Sequence, residues 1–328
     1  MATPPIGPKS ESWRSSPAGL GWVRRTVFKN LLVSLVLACC CGGSSAAVGF
    51  GSAHVVVVDE ASGEVLLEKD AATAAPIASL TKLMTAMVVL DAGQDAGEAI
   101  RIDAADMDWL KHTHSGVPAG AIVSRGTLLE LALIASDNHA AAALARNYPG
   151  GLDGFALATD RKIRALGLES TVLEEPTGLS PRNHASALDM AKVLQATAAY
   201  PLIAQITSKR AHAVLVDGQP WAVRNTNGLV GKPGWDILAS KTGFTNDAGR
   251  CLTMRLRAAG RTVIVVLIGA VAASARSLDA LNIRRWLAGE APLLAAVARV
   301  AVPRPRAATK RVRTARVVRA TGASQTAG

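Results

Sequence analysis

The chain has 328 residues, of which 49% are hydrophobic and 19% charged, so its composition excludes a disordered or collagen-like protein. The formal net charge of +11 lies at the two ends. Residues 1–48 carry a net charge of +4, residues 291–328 carry eight Lys or Arg and no acid, and the remainder carries −1. A domain that binds nucleic acid normally presents its own basic face, so we expect no nucleic-acid partner.

The N-terminal segment has the pattern of an export signal. Basic residues within 24–29 precede an apolar run over 31–41 that is too short to span a bilayer, and small residues follow at 44–47. This pattern predicts a signal region over 1–47 and an exported, periplasmic protein. Two other export routes stay open: the basic cluster resembles a twin-arginine signal, and 36–39 resembles a lipoprotein box that would attach the protein to a membrane.

The sequence between the two basic ends alternates between strand and helix patterns. A β-branched run at 54–59 followed by a turn at 61–63 predicts a hairpin, whereas apolar residues over 80–90 recur at helical spacing. A capping box from Thr127 to Glu130 predicts another helix start. In chain order we predict a hairpin over 54–67, a helix over 79–90, a polar stretch with short elements, helices over 127–133, 138–146, 152–166 and 184–197, strands over 213–216, 221–224, 237–241, 251–257 and 262–268, and a helix over 276–287.

This order of elements predicts the architecture. Strands lie near both ends of the central part, and a block of helices lies between them. We therefore expect an α+β fold in which an antiparallel sheet is assembled from both ends of the chain, with the helices inserted between its strands. The predicted domain covers residues 48–290.

The first motif that carries chemistry is Ser79-Leu-Thr-Lys82. A serine hydroxyl is a weak nucleophile unless a neighbouring group takes its proton. Positions i and i+3 of a helix lie on one face, so an amine at Lys82 can accept that proton if burial lowers its pKa. Taken alone, the pattern also fits a helix N-cap serine beside a solvated lysine.

The second motif is Ser136-Asp137-Asn138, at the junction of two predicted helices. A hydroxyl and an amide on such a turn are able to relay a proton and to bind a substrate amide. Capping of the following helix is the competing interpretation, and by itself the motif favours capping.

The third motif is Lys241-Thr242-Gly243, placed at the end of a predicted strand. A strand edge offers backbone groups to an extended peptide, and glycine permits a close approach of the substrate backbone. Lys241 supplies positive charge, and the Thr242 hydroxyl can donate a hydrogen bond to a carboxylate.

Together, S-x-x-K, S-D-N and K-T-G in this order match the signature of class A β-lactamases and penicillin-binding proteins. Over roughly 50–288 the chain resembles the serine D,D-peptidases of the low-molecular-mass penicillin-binding proteins. The resemblance implies a β-lactamase/transpeptidase-like fold, with a five-stranded antiparallel sheet flanked by helices and an inserted helical subdomain. The segments that resemble the D-alanyl-D-alanine endopeptidase subgroup in particular are 77–91, 147–151, 175–180, 224–227, 241–246 and 248–252.

The resemblance implies a role for each residue of the first two motifs. Ser79 attacks the carbonyl of the penultimate D-alanine and forms an acyl-enzyme, with Lys82 as its general base. Ser136, helped by Lys241, relays the proton to the leaving amine, and Asn138 binds the amide on the acyl side. The subgroup commonly has Glu where this chain has Asp137, but the middle residue varies across the wider family.

The third motif is implied to bind substrate. Thr242 contacts the substrate carboxylate, Gly243 keeps the strand open to it, and the backbone N–H groups of Ser79 and Phe244 form the oxyanion hole. The implied substrates are peptidoglycan stem peptides joined by D-alanyl-diaminopimelate cross-links, and β-lactam antibiotics are implied as covalent inhibitors. No metal and no organic cofactor is expected.

A class A β-lactamase is one alternative, since it shares all three motifs. It needs a glutamate that activates water, within an E-x-x-L-N segment, whereas here Leu179 follows Glu175 by four residues and no Asn comes next. A non-catalytic wall-binding protein of the same fold is a second alternative. Such a protein would be expected to have lost Ser79, Lys82 or Lys241, and all three are present.

A D-alanyl-D-alanine carboxypeptidase that trims pentapeptide stems is the third alternative. Many carboxypeptidases of the family carry a separate C-terminal β-domain and an amphipathic anchor. About 40 residues follow Leu287, which is too few for such a domain and favours the endopeptidase.

The C-terminal segment 291–328 has too little apolar surface around its basic residues to fold alone, and we predict a disordered tail. One interpretation is a solvated tail without function. The other is electrostatic contact with an anionic wall or membrane surface.

Overall fold

The computed structural model describes residues 49–108, 115–291 and 293. The signal region predicted over 1–47 and nearly all of the tail predicted over 291–328 lie outside these residues. In the described part of the chain the strands are β1 His54–Asp59, β2 Val65–Lys69, β3 Ala75–Pro76, β4 Ala99–Arg101, β5 Ile122–Ser124, β6 His184–Ala185, β7 Ala211–Val216, β8 Gln219–Arg224, β9 Asp236–Thr245, β10 Gly249–Ala258 and β11 Arg261–Ala270. The α-helices there are α1 Thr81–Asp91, α2 Arg125–Glu130, α3 Asn138–Arg146, α4 Gly151–Ala165, α5 Ala187–Ala196, α6 Pro201–Thr207 and α7 Ala273–Leu287.

A five-stranded sheet in the order β2-β1-β11-β10-β9 joins the first and last strands of the described chain. All its neighbouring strands are antiparallel, with Val55 opposite Leu267 and Gly243 opposite Cys251. The helices α1 to α6 and three two-stranded ribbons come between β2 and β9 in the chain. The predicted α+β fold, with a sheet built from both ends of the chain and helices inserted between, is confirmed.

The central strands are buried on both faces. Along β1, Val55 and Val57 belong to the same hydrophobic cluster as Ile283 of α7, whereas Val56 packs in the cluster that includes Met190 of α5. Alternate side chains of a strand point to opposite faces, so each face of the sheet is covered by a helical layer. A continuous apolar run of this kind is what a doubly covered strand requires.

The predicted start of α2 is wrong by two residues. The helix begins at Arg125, because the Ser124 hydroxyl accepts a hydrogen bond from the Thr127 backbone N–H at 3.2 Å and so forms the N-cap. Thr127 is therefore the third helical residue and not the cap. Beyond Glu130 the chain continues as a π-helical turn, Leu131–Ala135.

The helix predicted from His184 begins at Ala187. His184 and Ala185 pair with β3 instead, and the Ser186 hydroxyl caps the helix by accepting from the Asp189 N–H at 3.1 Å. Within the described residues no helix is long and apolar enough to cross a membrane.

Candidate active site

The Ser79 motif lies where a short 3₁₀ turn, Ala78–Leu80, leads into α1. The α-helix itself begins at Thr81 and not at Ser79 as predicted, but the i to i+3 spacing still brings the two groups together. The Lys82 amine lies 2.9 Å from the Ser79 hydroxyl oxygen, and the lysine is 1% exposed. Ala78 has φ +48°, a strained conformation for a residue with a side chain.

The second motif lies on a turn that Asp137 holds in place. Its carboxylate caps α3 through the Ala140 N–H at 2.9 Å and accepts the Ser115 hydroxyl at 2.5 Å. Ser136 has φ +62°, so the backbone is again strained. The capping interpretation and the functional one therefore apply to different residues of the motif: Asp137 caps, while the Asn138 side-chain oxygen accepts from the Lys82 amine at 2.6 Å.

The third motif lies within β9. The prediction that it ends the strand is wrong, because Thr245 still pairs with Gly249 of β10. The buried Lys241 amine donates to the Ser136 hydroxyl at 2.7 Å. A Cβ on Gly243 would lie 3.1 Å from the Ser79 backbone nitrogen, so this glycine permits a close approach of the backbone around Ser79.

The contacts described above join the three motifs at one site. Thr242 and Phe244 flank Gly243 in the third motif. Thr242 is buried, whereas Phe244 is 48% exposed and stacks beneath the guanidinium of Arg250 at 3.6 Å from its ring centre. The predicted site residues lie on the Ala78–Leu80 turn, in the first turn of α1, at the start of α3 or in this stretch of β9.

Two buried lysines give the site its electrostatic character. Burial lowers the pKa of Lys82 to about 8, although the negative charges of Glu175, Asp137 and Asp108 oppose that shift. Burial, together with the positive charge of Lys82, lowers the pKa of Lys241 well below its ordinary value. A neutral amine is thus accessible beside Ser79 near neutral pH.

The contacts of the Lys82 amine orient its lone pair. Its three hydrogen-bond partners are the Ser79 hydroxyl at 2.9 Å, the Asn138 side-chain oxygen at 2.6 Å and the Thr177 carbonyl at 2.7 Å. A neutral amine has two N–H bonds and one lone pair. Since the two carbonyl-type oxygens only accept, they take both N–H bonds, and the lone pair faces the Ser79 hydroxyl. This arrangement can remove the proton of the nucleophile.

Sequence reasoning missed two groups at the site. One is the Thr177 carbonyl, which no side-chain pattern reveals because it is a main-chain atom. The other is Thr226, an exposed residue whose hydroxyl lies 2.6 Å from that of Thr242. The segment 224–227 is one of those that resemble the endopeptidase subgroup, but its composition indicates no contact with the third motif.

Known proteins share the sequence pattern and the fold of this chain. Residues 44–272 match the peptidase family S11, described as D-alanyl-D-alanine carboxypeptidase. The chain belongs to this family. It is 40% identical to a D-alanyl-D-alanine endopeptidase of Pseudomonas aeruginosa and 39% identical to one of Escherichia coli, in each case over 72% of this chain and 77% of the relative.

A solved structure supports the fold of this family member. A mutant of the Streptomyces K15 DD-transpeptidase matches with a TM-score of 0.68 and 23% identity, over 74% of this chain and 99% of that one. The resemblance to the serine D,D-peptidases and the transpeptidase-like fold are both confirmed.

Proposed function

We propose that the protein is an exported serine D,D-peptidase that hydrolyses D-alanyl-diaminopimelate cross-links of peptidoglycan through an acyl-enzyme on Ser79. The observation that carries the proposal is the buried Lys82 amine, whose remaining partners direct its lone pair to the Ser79 hydroxyl. Relatives that are 40% and 39% identical and named endopeptidases support the choice of cross-link. The periplasm, where this substrate lies, is the proposed location.

Acylation follows from the geometry around Ser79. Its oxygen attacks the carbonyl carbon of the D-alanine on the acyl side while the proton passes to Lys82. The developing oxyanion lies between the backbone N–H groups of Ser79 and Phe244, where one donor typically contributes about 10²–10³ in rate. The closeness of β9 to the Ser79 backbone is consistent with donors from both segments.

Breakdown of the tetrahedral intermediate requires a proton for the leaving amine. Ser136 relays it: the hydroxyl gives its proton to the nitrogen and regains the proton that Lys82 took from Ser79, while the adjacent Lys241 stabilises the charge on the Ser136 oxygen. The C–N bond breaks, and the amine departs with the diaminopimelate of the neighbouring stem. Asn138 holds the acyl-side amide, and Thr242 holds the carboxylate beside the leaving amine. Water then hydrolyses the ester and regenerates Ser79.

A D-alanyl-D-alanine carboxypeptidase is the second candidate, favoured by the description of the family. The same residues would act, with free D-alanine as the leaving group. A β-lactamase is less well supported, because both carboxylate oxygens of Glu175 accept hydrogen bonds from the N–H groups of its own loop. The carboxylate that would have to activate water is therefore already hydrogen-bonded to the loop through both oxygens.

Acylation by a penicillin tests the proposed serine–lysine pair through its pH dependence. The second-order rate constant is expected to rise as pH increases through about 8, because Lys82 accepts a proton only after losing its own. Stopped-flow measurement between about pH 6 and about 9.5 would define this rising limb of the pH–rate profile. Absence of acylation at every pH contradicts the proposal.

The basic segment is proposed to hold the enzyme on its polymeric substrate. Each basic residue near an anionic membrane contributes about 1 kcal/mol, screened over roughly 8–10 Å at physiological salt. All eight basic residues of the segment 291–328 lie at or after Arg299. Removal of 299–328 therefore deletes every charge but keeps the contact of Leu293 with Asn282.

The truncated enzyme is expected to sediment less with purified sacculi at low salt, while it hydrolyses small soluble muropeptides at an unchanged rate. A full-length control with the eight basic residues replaced by Gln separates charge from length. Equal sedimentation of all three proteins across a salt series would show that the segment is inert.

A further inference from the structure

The segment Glu175–Ser180, called here the 175–180 loop, lies against the Ala78–Leu80 turn and α1 through main-chain atoms. The Thr85 hydroxyl donates to the Pro176 carbonyl at 2.7 Å, and the Lys82 amine donates to the Thr177 carbonyl at 2.7 Å. A Cβ on Gly178 would lie 1.9 Å from the Ala78 carbonyl oxygen, and its φ is +84°. The loop therefore reaches the base only because glycine stands at this position.

The Glu175 carboxylate accepts hydrogen bonds from N–H and O–H groups of its own loop. One carboxylate oxygen accepts from the Thr177 backbone N–H at 2.7 Å and from the Thr177 hydroxyl at 2.5 Å. The other accepts from the Gly178 N–H at 2.6 Å and the Ser180 N–H at 3.3 Å. Charge-assisted hydrogen bonds of this length are stronger than neutral ones, so this carboxylate fixes the backbone around Thr177.

The bond to Gly178 has a geometric consequence for the catalytic amine. The Thr177 carbonyl and the Gly178 N–H belong to one planar peptide unit, and in a trans peptide they point in opposite directions. Because Glu175 holds the N–H on one side, the carbonyl is held pointing to the other side, where it accepts from Lys82.

We infer that Glu175 is a positioning residue: by clamping the peptide between Thr177 and Gly178 it aims the lone pair of Lys82 at Ser79. The inference rests on the proposed function, in which Lys82 is the general base. If the carbonyl rotated away, a neutral Lys82 would keep a free N–H bond, and its lone pair would no longer be confined to the direction of Ser79.

The negative charge of Glu175 also affects the pKa of Lys82, and therefore the pH dependence of acylation. A residue that only held the loop in shape would not change that pH dependence. The charged groups that act on Lys82 are Glu175, Asp137 and Asp108, which favour its protonated form, and the neighbouring Lys241. Removal of the Glu175 charge makes the ammonium less favourable, so the pKa of Lys82 falls further. The acidic limb of the acylation profile must then move to lower pH.

The test is Glu175→Gln in the full chain, with penicillin acylation followed by stopped flow across pH. The amide keeps the shape but presents an NH₂ group to N–H donors, so one pair of hydrogen bonds is lost. We expect the plateau rate constant to fall about tenfold or more, which is part of the roughly 10²–10⁴-fold that a general base contributes as a whole. We also expect the limb to move to lower pH. Glu175→Asp, which keeps the charge, should lose rate with a smaller movement of the limb.

Glu174→Gln is the matched control. This neighbouring carboxylate is also part of the loop region, but it binds the Arg182 guanidinium and the Ser180 hydroxyl on the outer side. Its removal should change the plateau rate by no more than about twofold and leave the limb in place, as expected for an exposed ion pair.

Two results would overturn the inference. One is a Glu175→Gln enzyme that acylates at the wild-type rate with an unmoved limb. The other is a Glu175→Gln enzyme of which a smaller fraction is acylated, while the rate constant and the pH dependence of that reactive fraction stay unchanged. That pattern would mean that part of the protein is unfolded and that the base is unaffected. A wild-type enzyme that is not acylated would instead overturn the proposed function, so the two failures are distinguishable.

Discussion

Replacing Ser79 by alanine is expected to abolish labelling by a fluorescent penicillin and to reduce peptide hydrolysis by roughly 10⁴-fold or more. The hydroxyl of Ser79 is the group on which the Lys82 amine converges at 2.9 Å, and it lies beside the backbone of β9. Without that oxygen no ester can form, and a two-step reaction through a covalent intermediate is lost.

The fold is expected to survive this change, because Ser79 is half-buried and alanine only removes the hydroxyl. Ser62→Ala is a suitable control, since Ser62 is exposed in the turn between β1 and β2 and should leave labelling intact. A labelled band that persists in the Ser79→Ala protein would show that another residue is the nucleophile.

Replacing Lys82 by arginine is expected to slow acylation by about 10²–10⁴-fold, the usual contribution of general-base catalysis. The guanidinium keeps the positive charge but cannot lose its proton at neutral pH, whereas burial brings the pKa of Lys82 to about 8. The rate of acylation would be measured by stopped flow, and folding by circular dichroism and thermal melting.

The site around Lys82 is closely packed, so a second variant guards against a simple loss of fold. Lys82→Met fills a similar volume without charge or lone pair and should show the same slow acylation. Near-normal acylation by either folded variant would mean that a different group removes the Ser79 proton.

The sequence predicted best those elements whose limits depend on local interactions. Helix α3 has the predicted bounds, because Asp137 caps its first turn and the following Tyr-Pro-Gly-Gly segment ends it. The predicted start of α2 is wrong because Ser124 and Thr127 lie three residues apart and either hydroxyl can cap a helix. The tertiary structure selects Ser124, and no local pattern distinguishes the two.

The pairing of His184 with β3 illustrates the same limit over a longer range. Taken alone, the sequence of 184–197 predicts a helix. The strand that pairs with His184 and Ala185 lies about a hundred residues earlier in the chain, at Ala75 and Pro76. Such two-residue ribbons depend on which segments the fold brings together, and their residues carry no periodicity of their own.

The candidate site was predictable where side chains form spaced motifs. Ser79, Lys82 and Lys241 are predictable because the spacing and order of their motifs are specific. The structure pairs Lys82 with Ser79 and Lys241 with Ser136. The Thr177 carbonyl was not predictable, since every residue has a carbonyl group. In the sequence, Glu175 stands out only as a possible water-activating residue, because its bonds to loop N–H groups form only in the folded conformation.

Cleavage of peptidoglycan cross-links by this enzyme is tested most directly by comparing two substrates. Purified protein would be incubated with a cross-linked tetrapeptide–tetrapeptide muropeptide dimer and, separately, with a monomeric pentapeptide muropeptide, and products would be followed by chromatography and mass spectrometry. We expect the dimer to be cut to two tetrapeptide monomers faster than D-alanine is released from the pentapeptide, and benzylpenicillin to stop the reaction. Failure to cleave the dimer under conditions in which the enzyme is acylated by penicillin would contradict the proposed function.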